Sequence, residues 1–196
     1  MGRNFRGCHS ELVEESLNDT KQLNRKVNDG MKLNIVLVEP EIPSNTGNIS
    51  RTCSVIGAAL HLVHPLGFDI SEKAVKRAGL DYWDELDLYE YQSFAEVQRK
   101  YPDGDFYYCT TKAPNTYSQV VFPVCEEKEI FLVFGKETKG LPEDLIRENI
   151  EKAIRIPMKE NMRSLNLSNS VAVVAYEVLR QDDFKNLEKR GHLTNG

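Results

Sequence analysis

The stretch from residue 154 to 179, IRIPMKENMRSLNLSNSVAVVAYEVL, constrains the fold more than any other part of the chain. It passes from a strand through a polar hinge into an almost wholly apolar helix, without a break. A helix this apolar needs cover on nearly every side. Asn, Ser and Arg side chains brought to its buried end are costly unless they hold something. The segment therefore reads as a ligand site built against a packed interface. In the helix, Leu167, Val171, Val174 and Val178 share one face, with Ala172, Ala175 and Leu179 beside it. Only Ser170, Glu177 and Gln181 suggest a narrow polar strip. Burial in the chain's own core is one reading. A symmetric dimer is the other, because an exposed helix of this kind would leave a large apolar patch.

The 196 residues suffice for one domain with a sizeable core and hardly for two. No apolar run approaches the ~18 residues of a membrane span, and the N-terminus has no continuous apolar stretch of the secretory kind. A cytoplasmic protein is the expectation. Cys8, Cys53, Cys109 and Cys125 form no CxxC pair and read as reduced thiols, not as a zinc site or a disulfide framework. The net charge of −5 argues against indiscriminate nucleic-acid binding but leaves room for a local basic patch.

Residues 1–30 carry five basic and five acidic side chains among few apolar ones, with room for a short helix near Glu11 to Leu17. They lack a core-forming pattern and read as a flexible extension, residues 1–30, before a domain that starts at Met31. From there short apolar runs alternate with amphipathic segments. Strands are expected at Asn34–Val38, Leu60–His64, Leu86–Tyr91, Phe106–Thr110, Ile130–Phe134 and Ala153–Ile156. Helices are expected at Gly47–Ile56, Ser71–Ala78, Ser93–Lys100, Pro142–Glu148 and Leu167–Arg180, with Ser93 as an N-cap and Pro142 at the first helical position. Continuously apolar strands such as IFLVF belong where both sheet faces are covered. The reading is a single α/β domain, with a mainly parallel sheet and helices on both faces.

Three loops stand out. Glu39-Pro-Glu-Ile-Pro-Ser-Asn-Thr-Gly-Asn48 follows the first strand and opens a helix, at the sheet edge where ligands of such folds sit. On that helix Ile49, Thr52, Cys53 and Ile56 make the inward stripe, while Arg51 lies roughly 200° from Ile49 and points outward. From spacing alone, an ordinary turn, a helix cap and a surface arginine are the plainer reading. Phe134-Gly-Lys-Glu-Thr-Lys-Gly-Leu-Pro142 holds two glycines that permit close backbone approach. It is neither a phosphate loop nor a dinucleotide fingerprint. A plain strand-to-helix turn stays open. Lys73, Lys76 and Arg77 fall on one helix face, either solvated or against RNA phosphates. His61 and His64 have no carboxylate or cysteine at metal spacing, so they read as structural and no metal is expected.

Taken in order, PxxxNTGNxxR, FGxETxGLP and IRIPMxxxxRSLNLSNxVAVxxYE resemble the three motifs of the SPOUT (trefoil-knot) RNA methyltransferases. The resemblance spans residues 31–183, leaving 184–196 as a polar C-terminal tail. The PEIPSNTGN form of the first motif, with Arg77-Ala-Gly-Leu-Asp-Tyr82, is similar to the tRNA (cytidine/uridine-34) 2′-O-methyltransferases, which act on the wobble nucleotide of leucine tRNAs. The resemblance implies a C-terminal trefoil knot, which topology rules alone would not anticipate. It also implies a homodimer and S-adenosylmethionine as cofactor. Carried over by motif, cofactor contacts fall at Cys109, Thr110, Gly135, Glu137, Gly140, Ile156, Ser164 and Leu165. Arg51, Arg163 and Tyr176 match residues of catalysis or RNA engagement, with Asn45 and Asn166 holding the loops that place them. Lys73, Arg77, Lys112, Lys139 and Lys159 are the candidate contacts to substrate RNA. Lys136 departs from the pattern, at a position that is often proline, and implies a looser loop or an added RNA contact.

Overall fold

The computed structural model describes residues 31–70, 86–125 and 127–193. The expected extension 1–30, the helix at 71–78 and the residues Lys73 and Arg77 lie outside the described residues.

Among the described residues, seven strands form one sheet in the order β3-β2-β1-β6-β4-β7-β5. They are β1 (Lys32–Val38), β2 (Ala59–Val63), β3 (Leu88–Tyr91), β4 (Asp105–Cys109), β5 (Asn115–Thr116), β6 (Glu129–Phe134) and β7 (Ala153–Arg155). Every pairing is parallel, with β1 between β2 (Ile35 beside Leu60) and β6 (Ile35 beside Leu132). The α-helices among the described residues are α1 (Pro43–Ile56), α2 (Phe94–Lys100), α3 (Glu143–Glu148) and α4 (Leu167–Gln181).

Alternation along the strands divides the core in two. Leu33, Ile35 and Leu37 of β1 join Leu60, Leu62, Ile130 and Leu132 beneath α1 and α4. Val36 and Val38 point the other way, to Val63, Val133, Val97 of α2 and Ile146 of α3. This two-sided cover is why the strands read as unbroken apolar runs. Helices do lie on both faces. The second face also holds a buried polar trio: His61 bonds Asn34 Oδ1 through Nε2 (3.0 Å) and the Tyr91 hydroxyl through Nδ1 (3.2 Å). His61 is thus part of the core.

The limits of several elements differ from expectation, for local reasons. α1 begins four residues early, at Pro43, whose fixed φ suits the first helical position, while Glu137 holds the N–H groups of Glu41 and Ile42 just before it. Pro142 stands just outside α3, as its cap, rather than at the first helical position. Ser93 caps α2 by position but makes no side-chain hydrogen bond there. β5, two polar residues at the sheet edge, gives no apolar signal in the sequence. No helix among the described residues is long and apolar enough to cross a membrane.

Candidate functional site

The strand order reverses between β1 and β6, and in open α/β sheets ligands settle outside the carboxyl ends of the strands near such a point. A cavity of about 790 Å³ opens there. Its walls are Cys109–Lys112 after β4, Gly135–Gly140 after β6, Ile156 and Met158 after β7, and the hinge Arg163–Asn166. Ile42 and Asn45 reach it from the start of α1, and Ser170 and Val174 from α4. All eight residues expected to touch the cofactor line this one cavity, with Arg163, Asn45, Lys112 and Lys139 beside them.

Tight backbone geometry shapes the β6 loop. The Gly140 N–H donates to the Lys136 carbonyl (2.8 Å), which closes the loop on itself. Gly140 has φ of 69°, in the left-handed region where a side chain is strained. A Cβ on Gly135 would lie 2.1 Å from the Gly140 carbonyl carbon. Only glycine fits at the base of this loop.

The β1 and β6 loops are then laced together. Lys136 Nζ pairs with Glu39 (2.5 Å). Thr138 donates its hydroxyl (2.8 Å) and its N–H (3.1 Å) to the Glu41 carboxylate. In the reverse direction Glu137 accepts from the N–H groups of Glu41 (2.8 Å) and Ile42 (3.3 Å) and from Asn45 Nδ2 (2.9 Å). Its negative charge sits at the positive end of α1, which has no side-chain cap of its own. Asn45 Oδ1 accepts in turn from Asn166 Nδ2 (3.0 Å), whose own Oδ1 caps α4 by accepting from Ser168 N–H (2.9 Å) and Asn169 N–H (3.3 Å). One chain of hydrogen bonds thus joins all three sequence motifs.

These bonds account for two of the expected site residues. Glu137 lines the cavity, but its carboxylate is occupied by the N–H groups of Glu41 and Ile42 and by the Asn45 amide, at the entry to α1. Asn45 has its amide committed to Glu137 and Asn166, which fits the loop-holding place that the resemblance implied for it. Lys136, the departure from the motif, tightens the loop through Glu39 rather than loosening it. None of this lacing is visible in sequence spacing, since its partners lie more than 90 residues apart.

Electrostatics follow the contacts. The Thr138 hydroxyl holds the Glu41 carboxyl below the usual carboxylate range, and Glu39 raises the Lys136 ammonium. Burial pushes the Cys109 thiol up, so it lines the wall as a neutral group. Lys112 pairs with Glu143, which lowers the Glu143 carboxyl.

Arg51 and Tyr176 do not line the cavity. Both are exposed, on α1 and α4 respectively, and these two helices lie against one another. Arg51 follows Asn45 by six residues of helix, roughly 9 Å of rise. Lys159 is exposed and away from the cavity wall. Among the described residues no group of three or more His, Cys, Asp or Glu side chains is placed to hold a metal.

Comparison with known proteins gives one consistent picture. The sequence matches the SpoU rRNA Methylase family over residues 32–176. It is 48% identical over 157 residues to a Geobacillus stearothermophilus protein named as a tRNA (cytidine(34)-2′-O)-methyltransferase, covering 80% of this chain and 99% of that one. The fold superposes on a solved RNA methyltransferase of Bacillus anthracis with a TM-score of 0.76 at 45% identity, covering 80% and 98% of the two chains. A structure described as giving insight into the 2-OH methylation of C/U34 on tRNA superposes with a TM-score of 0.72 at 38% identity, covering 80% and 99%.

Proposed function

The chain belongs to the SpoU rRNA methylase family, and from that premise we propose that it methylates the ribose 2′-hydroxyl of the wobble nucleotide, cytidine or uridine 34, of leucine tRNAs. The observation that carries this reading is the convergence of all three motif loops on one cavity, braced by one hydrogen-bond chain. The names of the relatives support the position and the nucleotide.

S-adenosylmethionine is the methyl donor in this reading, and the cavity suits it. About 790 Å³ lies within the range of cofactor sites. Phe134, Ile154, Ile156, Leu165 and Val174 offer apolar walls, while Thr110, Ser164, Asn166 and Ser170 offer hydrogen-bonding groups. Bound there, the sulfonium supplies a methyl group that is already activated. The chain's own work is then alignment and proton removal. A guanidinium does not give up its proton in a protein. Arg51 therefore orients the 2′-hydroxyl and an adjacent phosphate rather than acting as a simple base, with Arg163 and Tyr176 engaging the RNA.

Arg51 and Tyr176 stand outside the cavity of their own chain, which supports a site completed by a second subunit. The exposed parts of α1 and α4, with Val55, Val173 and Tyr176 at the surface, are the proposed dimer contact. The homodimer, the C-terminal knot and a cytoplasmic location complete this reading. Transfer of a labelled methyl group to an unmodified leucine tRNA transcript tests it, and no incorporation sinks the wobble assignment. A second reading, the same chemistry on ribosomal RNA, is favoured by the family's own description. Label on rRNA fragments in place of tRNA would select it.

A further inference from the structure

Beside the Lys136–Gly140 loop lies a second cavity, of about 450 Å³, that the cofactor reading leaves unused. Val38, Leu141 and Pro142 contribute apolar lining; Lys112, Lys136, Lys139, Glu39 and Glu143 carry its charge. The three lysines line both cavities, so they stand on the wall that the two share. Two of them are held by carboxylates within the same cavity: Lys136 by Glu39 and Lys112 by Glu143. Lys139 is exposed and makes no direct ion pair among the described residues, although its charge reaches Glu41.

We propose that this second cavity takes one backbone phosphodiester of the RNA substrate, with Lys139 as the standing cation and Lys112 exchanging Glu143 for the phosphate. The inference rests on the reading of the chain as an RNA methyltransferase and adds to it where the strand is gripped. Three features argue for it. The position is right, since the two cavities share Lys112, Lys136 and Lys139, so a phosphate held in the second keeps its strand beside the first. The chemistry is right, since lysine binds phosphate as a point charge and asks little of its geometry. The acid partners are right as well. Exposed ion pairs of this kind are weak and easily exchanged, and they keep an acidic protein from gripping every polyanion it meets. Lys136 stays with Glu39, because that pair also laces the two motif loops.

The test is the salt dependence of binding to an unmodified leucine tRNA transcript, measured for wild type, Lys139→Gln and Glu143→Gln, with donor affinity recorded in parallel. Loss of one phosphate contact lowers the slope of log affinity against log salt by roughly 0.7–0.9 and weakens binding about fourfold at physiological salt. Lys139→Gln is expected to show that loss, with donor affinity unchanged. Glu143→Gln is expected to tighten tRNA binding at an unchanged slope, because Lys112 no longer has to leave a carboxylate to reach the same phosphate. A wild-type slope in Lys139→Gln or wild-type affinity in Glu143→Gln overturns the proposal, as does a Lys139→Gln defect that falls on the donor instead. Wild-type protein that binds tRNA with these slopes yet methylates no RNA contradicts the enzymatic reading and leaves the phosphate site standing.

Discussion

Arg51 and Gly135 represent two different demands at the residue scale. Arg51 is exposed and set apart from the cavity, so its loss should leave the fold and the donor site intact. Arg51→Ala is expected to cut single-turnover methyl transfer by about 100-fold or more, the scale of a lost orienting group. Titration calorimetry with the donor should show unchanged affinity, and equal activity in the variant would refute the role assigned here. Gly135 is the opposite case. Its missing Cβ is what lets the Gly140 and Leu141 backbone close over the cavity wall. Gly135→Ala forces backbone to move, at a cost of about 1–3 kcal/mol. Thermal denaturation should show that loss of stability together with weakened donor binding. A variant with wild-type melting temperature and wild-type donor affinity would show that the loop tolerates the extra carbon.

Between elements, the lacing of the β1 and β6 loops brings a pH dependence with a definite sign. Hydrogen bonds from Thr138 depress the Glu41 carboxyl below its ordinary value of 4.5. A depressed carboxylate contributes stability that is present above 4.5 and is lost as pH falls through the folded-state value. Glu177, held low by Arg180 and Gln181, adds a loss of the same sign at the end of α4. Glu41→Gln should therefore lower stability at neutral pH yet lose less of it on acidification below 4.5 than wild type does. Melting temperature against pH reads this directly, and parallel acid limbs in the two proteins would contradict it. The same lacing marks the limit of what the sequence reveals. β1, β2, β4 and β6 were legible because two-sided burial writes them as apolar runs. The start of α1 was not, because the loop that leads into it is held by Glu137, a carboxylate 95 and 96 residues from the two N–H groups that donate to it. Motif resemblance brought together residues that line one cavity, since backbone loops of fixed length return to the same place. It did not show the bonds among them, such as those of Asn45 to Glu137 and Asn166, because spacing does not say which partner a side chain has already been given.

For the whole molecule, the question is what covers the outer side of α1 and α4. The inward positions Val171, Val174, Ala175 and Val178 are buried in the chain's own core, as one of the two sequence readings required. Outward, Val173 is 36% exposed, Tyr176 43% and Val55 58%. The proposed dimer buries them. Val173→Glu should shift the protein from dimer to monomer in sedimentation velocity and abolish transfer, while melting as a folded domain. A fully active monomer would remove the need for a second subunit. The central claim, transfer to one hydroxyl of one nucleotide, is tested most directly with two leucine tRNA transcripts that differ only in the sugar at position 34. With the donor supplied, mass spectrometry of anticodon fragments should find one added methyl group on the ribose-34 transcript and none on its 2′-deoxy counterpart. Equal methylation of both transcripts, or of neither, would contradict it.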